Sequence, residues 1–342
     1  MRQKIELFDV IGRKKRPSVG IASISDFNLY PRGELAEADN RPALAYCFDI
    51  KEQCMWFTLC DDLDRLRRSP FLYAAQYQGA LQVLRVPFAL LPWPAARAAA
   101  RQCFIFSLGR CGSTLLTGLV NECGVCAVSE PDPFTQLAKV GGTRRGVLGQ
   151  DLFNLIAHSC ASSLLKHDGE NIVVKLRSQC NGSVEEMVRA FPAARFVFML
   201  REPLGWANSR YRAFGGRPEA LAQMYKWGLE SFDRLVSVTC DTLLIWYEDL
   251  VRDPVSTLRE LAEFGVPILL PDGHAVEQTM KRDSQRDTPL ASQELHTCSM
   301  SASQVQAFEK ELEKIGSRSA PVRHLLERQP WRIRKSIGRG ID

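Results

Sequence analysis

From Cys103 to Gly265 short apolar runs alternate with amphipathic stretches. The runs "CFIFSL", "VCAVS", "NIVVKL", "RFVFML" and "TLLIWY" are almost continuously apolar, the pattern of strands buried on both faces. The intervening "STLLTGLVNE", "LFNLIAHSCASSLL" and "VEEMVRAF" space their apolar residues at helical intervals. So do "LGWANSRYRAF", opened by Pro203, a stretch from about Glu219 to Val236, and "PVSTLRELAEFG", opened by Pro254 and closed by Gly265. Such alternation predicts an α/β unit, a parallel sheet with helices on both faces. A last helix is expected in "SASQVQAFEKELEKIG", where Val305, Phe308, Leu312 and Ile315 share a face and Gly316 is the stop.

The chain before Cys103 reads differently. "PALAYCFDI" and "QCMWFTLCD" predict a hairpin, and "DLDRLRRSPFLYAAQYQGALQVL" reads as helical with a break at Pro70. "LLPWPAARAAARQ" has the composition of a linker. The expected organisation is a small α+β unit over residues 1–98, an α/β unit over 99–317 and a basic tail over 318–342. The 342 residues, 45% hydrophobic and 24% charged, suffice for a substantial core. A net charge of +5 admits anionic ligands without arguing for nucleic acid. The apolar runs are too short and too broken for a membrane span, and "MRQKIELFDVIGRKKRPS" lacks a leader's apolar centre. The eleven cysteines, an odd number set largely in apolar runs such as those of Cys47, Cys103 and Cys240, suit reduced thiols. A cytoplasmic setting is therefore expected. Cys123 and Cys126 form C-x-x-C without a second pair, which reads as core thiols rather than a metal site.

The chemistry concentrates in "SLGRCGST", between the first α/β strand and its helix. Gly109 and Gly112 can take backbone angles closed to other residues, so that successive N–H groups converge on one anion. The helix N-terminus at Ser113 adds unpaired N–H groups, Ser113 and Thr114 add hydroxyls, and Arg110 adds a charge. A nucleotide triphosphatase loop needs lysine after its second glycine, where this chain has Ser113. The strand ends carry Lys175, Arg177 and Arg201 rather than acids, which suits an anion held without metal. The bland alternative is a tight strand-to-helix turn. In "RFVFMLREPLGWANSRYRAF" Arg201 offers a planar fork at a strand end and Ser209 a hydroxyl on the next helix. An ion pair with Glu202 and a helix-surface serine are their plainer readings.

These stretches, followed by "WYEDLVRDPVSTLRELAEFG", resemble the three ordered landmarks of the sulfotransferase family. The resemblance covers about Cys103 to Gly265. It implies a P-loop nucleotide-binding fold and the co-substrate 3′-phosphoadenosine 5′-phosphosulfate (PAPS). Gly109, Arg110, Cys111, Gly112, Ser113 and Thr114 would hold the phosphosulfate, and Arg201 and Ser209 the 3′-phosphate. The third landmark is Tyr247-Glu248-Asp249-Leu250 with Asp253-Pro254. The implied reaction is in-line sulfuryl transfer to a hydroxyl or amine of a small-molecule acceptor, with Arg110 stabilising the leaving oxygen.

The departure from the family concerns the base. Cytosolic small-molecule sulfotransferases place a histidine in the stretch that here reads "VVKLRSQCN", which has none. None of His158, His167, His274, His296 and His324 is given a role. The branch resembling tyrosylprotein sulfotransferases uses a glutamate, and "CAVSEPDPF" offers Glu130 at a strand end. Glu130 is thus the candidate base, with Lys175, or second Arg177, as a cation for the sulfuryl group. Glu130 and Asp132 could instead only favour a helix dipole. Lys281, Arg282, Ser284 and Arg286 in "MKRDSQRDTPL" either close over the nucleotide or form a solvated loop. Trp206, Tyr211, Phe214 and Tyr225 fall near the expected cleft, although such aromatics are more often core. The alternatives are a nucleotide-binding member of the fold without turnover and an unusual P-loop kinase. A homodimer is left open.

Overall fold

The computed structural model describes residues 4–15, 20–34, 41–92, 102–143, 148–167, 170–239, 241–271, 273–284 and 299–318. The first sheet comprises β1 (Glu6–Arg13), β2 (Phe27–Glu34), β3 (Ala43–Asp49), β4 (Cys54–Leu59) and β5 (Gln82–Pro87), with α1 (Leu63–Arg67) and α2 (Leu72–Gly79). It is antiparallel in the order β2-β1-β5-β4-β3. The expected hairpin is β3–β4. The helical reading of "QVL" is corrected: those residues begin β5, where Val83 pairs with Phe8 of β1 and Thr58 of β4. A short apolar run suits either conformation, and here sheet pairing decides.

The second sheet contains β6 (Gln102–Ser107), β7 (Cys126–Ser129), β8 (Ile172–Lys175), β9 (Arg195–Leu200) and β10 (Thr242–Trp246). All its pairings are parallel, in the order β10-β9-β6-β8-β7. Its helices are α3 (Ser113–Glu122), α4 (Asp132–Thr143), α5 (Gln150–Ser163), α6 (Val184–Ala190), α7 (Pro203–Phe214), α8 (Pro218–Val238), α9 (Tyr247–Arg252), α10 (Pro254–Glu263), α11 (Gly273–Lys281) and α12 (Ala302–Arg318). Cys103, Phe104, Ile105 and Phe106 of β6 are each 4% exposed or less; since successive side chains alternate in direction, both faces are covered. On one face Phe104 meets Phe134 of α4 and Phe191. α8 lies close to the strand ends: a Cβ at Gly228 would stand 1.9 Å from Leu108 Cδ2. β6 is central and its neighbours β8 and β9 both follow later in the chain. The connections therefore leave β6 toward opposite sides and open a crevice at its carboxyl end.

The two sheets share one continuous apolar core, running from Leu44 and Phe57 through Phe104 and Phe198 to Ile315. Edge strand β3 lies on α4 and α5. Phe48 N donates to Gln136 Oε1 at 3.0 Å, and Gln136 Nε2 to Ala22 O at 3.1 Å. Ala45 N donates to Ser163 Oγ at 3.1 Å. The described cysteines are free thiols, with Cys123 closing α3 and Cys126 opening β7. Cys240, and residues 319–342 of the tail, lie outside the described residues. No described helix is long and apolar enough to cross a membrane.

Candidate active site

β6 ends at Ser107, and the chain turns through Leu108–Gly112 into α3. Gly109 and Gly112 have φ of 70° and 75°, the left-handed values that glycine permits. Gly112 is required twice over, since a Cβ there would lie 2.4 Å from Tyr247 Cδ2. Inside the turn Gly109 N donates to Ser107 Oγ at 3.2 Å, and Trp206 Nε1 to Gly109 O at 2.9 Å. Asn181 Nδ2 donates to Ser107 O at 3.0 Å. The loop is thus braced from α7 and from the turn after β8.

Arg110 Nε donates to Ser209 Oγ at 3.2 Å, and Arg201 Nη1 to Arg110 O at 3.3 Å. The Arg201 guanidinium lies over the Tyr247 ring at 4.2 Å, an attraction of cation for ring face. Tyr225 OH donates to Arg201 O at 2.7 Å. Glu202 is not the partner of Arg201 in an ion pair. Its carboxylate caps α7, accepting from Leu204 N at 3.1 Å and Gly205 N at 2.6 Å. Glu248 accepts from Glu202 N at 3.1 Å, and burial raises its pKa. Burial lowers the pKa of Arg110, and repulsion from Arg201 and Arg212 lowers it further.

Glu130 stands one residue beyond β7. Lys175 Nζ donates to its Oε1, and Arg177 Nε lies 3.8 Å from its Oε2. Glu130 N donates to Lys175 O at 2.7 Å, so β7 and β8 hold the group from both directions. Arg177 pairs with Asp132 at 2.9 Å. Burial opposes the Arg177 charge, but Asp132 and Glu130 outweigh it and raise the pKa. Asp132 is 0% exposed and also accepts from Ala22 N. It is therefore Asp132, at the start of α4, that takes the structural part, while Glu130 faces the cleft. Three described non-glycine residues have positive φ, and Arg110 (60°) and Glu130 (59°) are two of them. Backbone held in this sparsely populated region concentrates at functional sites.

These groups line one cleft of about 700 Å³. Its walls include Gly109, Arg110, Gly112, Ser113, Thr114, Glu130, Lys175, Arg177, Arg201 and Ser209. Cys111 is not among them; it is fully buried, its Sγ against Gly109 O at 3.4 Å. Trp206 and Tyr225 are core residues at 0% exposure, whereas Phe214 lines the cleft. Ser284 lines the cleft too, and Arg282 an adjoining pocket of about 410 Å³. Lys281 instead pairs with Glu277 along α11 at 2.6 Å, and Arg286 lies outside the described residues. Arg210, Arg212, Phe71, Tyr73 and Asp283 are contributors that escaped the sequence reading. Arg210 and Arg212 line the wall, and a signal existed, since Arg212 follows Ser209 by three residues on a helix. Phe71 and Tyr73 arrive from the first sheet's unit, with Lys175 Nζ 5.6 Å from the Phe71 ring and the Arg177 guanidinium 4.7 Å from that of Tyr73. Nothing local in the sequence marks them.

With six cations around it and Glu130 and Asp283 as its acids, this cleft is built for a multiply charged anion. Residues 148–268 match the model of the sulfotransferase family. Over that segment the chain is similar to sulfotransferases. The segment holds Lys175, Arg201, Ser209 and Tyr247, while the 109–114 loop and Glu130 precede it. Among solved structures, a sulfotransferase from Alicyclobacillus acidocaldarius is 17% identical at a TM-score of 0.46, over 69% of this chain and 100% of its own. The sulfotransferase domain of the Synechococcus olefin synthase is 16% identical at 0.41, over 65% and 97%. A mouse sulfotransferase complexed with PAP is 13% identical at 0.40, over 67% and 89%. No curated protein matches the chain at a significant level.

Proposed function

We propose that the protein transfers a sulfuryl group from PAPS to the hydroxyl or amine of a small-molecule acceptor. One observation carries this reading: the glycine loop, the Arg201–Ser209 pair and the Glu130–Lys175 pair, distant in sequence, line one cation-rich cleft. The residues fit the co-substrate. The Arg201 Nε is buried without a hydrogen-bond partner among the described residues, and the left-handed Gly109 and Gly112 shape the loop that lines the cleft. Bound there, PAPS would supply the transferable sulfuryl group. The N–H groups at the start of α3, with Ser113, Thr114 and Arg110, would hold the phosphosulfate and stabilise the leaving phosphate oxygen. Arg201 and Ser209 would hold the 3′-phosphate. Glu130 would take the acceptor's proton, and Lys175, one ammonium away from it, would neutralise the transferring group. The acid beside Arg201 is spent on capping α7, which weighs against the metal-dependent kinase alternative.

The engagement of Glu130 by Lys175 and Arg177 favours a second reading, nucleotide binding without turnover. Calorimetric titration with adenosine 3′,5′-bisphosphate, beside ATP with magnesium, tests the site. Tight binding of the bisphosphate is expected, weakened about 10- to 100-fold by Arg201→Ala. Preference for ATP with magnesium would overturn the PAPS reading. Bisphosphate binding that survives Glu130→Gln, with sulfuryl transfer across an acceptor panel abolished, supports Glu130 as the base. Transfer left intact would remove it from that role.

A further inference from the structure

We infer that Arg212 is a further nucleotide-binding residue: with Arg201 and Ser209 it completes a clamp for the 3′-phosphate and so makes the cleft select a 3′-phosphorylated nucleotide. The inference rests on the PAPS reading of the cleft. Ser209 and Arg212 are three residues apart on α7, hence neighbours on one helix face. Both line the cleft. The Arg212 Nε, like that of Arg201, is buried and has no hydrogen-bond partner among the described residues.

The electrostatics point the same way. Arg110 donates to Ser209, and the cations that bear on it most strongly are Arg201 and Arg212, in that order. Asp283 follows as the opposing acid, with Arg210 after it. Arg110, Arg201 and Arg212 therefore share the wall of the cleft with Ser209, and Asp283 is the carboxylate that opposes them at Arg110. Like charges gathered in a partly buried site destabilise the free protein unless an anion satisfies them. A terminal phosphate dianion has three oxygens, enough to accept from several guanidinium forks at once. The Arg210 guanidinium lies over the Phe214 ring at 4.9 Å. Of the two α7 arginines, Arg212 is the one that acts more strongly on Arg110.

The test compares adenosine 3′,5′-bisphosphate with adenosine 5′-monophosphate on the full chain, by calorimetry, the weaker ligand measured by displacement. Arg212→Gln is expected to weaken the bisphosphate about 10- to 100-fold while the monophosphate stays within about twofold. Arg212→Lys, which keeps the charge but loses the fork, is expected to restore only part of the loss. The free Arg212→Gln protein is expected to melt no lower than wild type, since it loses a repulsion. Equal weakening of both ligands would assign Arg212 to the 5′ side, and no weakening of either to some other partner; each overturns the inference. A wild-type chain that binds no bisphosphate sinks the PAPS reading as well, whereas wild-type binding with Arg212→Gln unchanged sinks this inference alone.

Discussion

Gly112 shows how much one position can carry. Its φ of 75° costs any L side chain about 1–2 kcal/mol, and Tyr247 fills the space a Cβ would need. Tyr247 in turn faces Arg201. Gly112→Ala is therefore expected to cost more than about 2 kcal/mol in urea denaturation, backbone strain and steric clash together. In a Tyr247→Ala background the same change should cost only the backbone part, about 1–2 kcal/mol. Equal costs in both backgrounds would refute the clash. The glycine-rich turn was legible as an anion cradle, because the angles it needs are a property of residue type. Its conflict with Tyr247, 135 residues later, was not, because no local pattern encodes which ring lands on which loop.

At the scale of elements, five strands and most of the helices of the α/β unit were readable from periodicity, since buried parallel strands and amphipathic helices write different repeats. α9 escaped because six residues show no period, and α11 because its buried stripe is thin, Val276 and Thr279. The junction of α5 with α6 yields a pH prediction. His158 of α5 has Nε2 2.8 Å from Ala190 O and its ring 4.5 Å from that of Phe191. Burial lowers its pKa below the ordinary 6.5, although the hydrogen bond to Ala190 opposes this. A histidine depressed in the folded state binds fewer protons there than when unfolded. Stability therefore falls as pH drops through about 6.5 and below. His158→Gln is expected to flatten that fall in melting temperature between neutral and mildly acidic pH. An unchanged slope would show that other groups set it.

At the scale of the whole molecule, the continuous core and the bonds from α4 to Ala22 and Phe48 join the two sheets. Arg177 adds a bond to Gly20 O at 3.1 Å. We therefore propose that the unit of the first sheet is an integral wall of the site rather than a separable accessory. Hydrogen exchange should show amides of β4 and β9 opening with the same free energy, in one cooperative step. Earlier opening of β4 would restore the picture of independent units.

Glu130 as the base to examine came from the family resemblance, while by itself the sequence determined the α/β class, the glycine loop and the cations at the strand ends. These depend on local backbone chemistry and on short-range repeats, which a chain carries wherever it folds. Only the tertiary structure decided that Glu202 caps α7 instead of pairing with Arg201, and that Asp132 binds Ala22 and Arg177. It alone set Phe71 and Tyr73 beside Lys175 and Arg177. Those assignments follow from which surfaces of two sheets bury each other, and such long-range packing leaves no trace in the spacing of neighbouring residues.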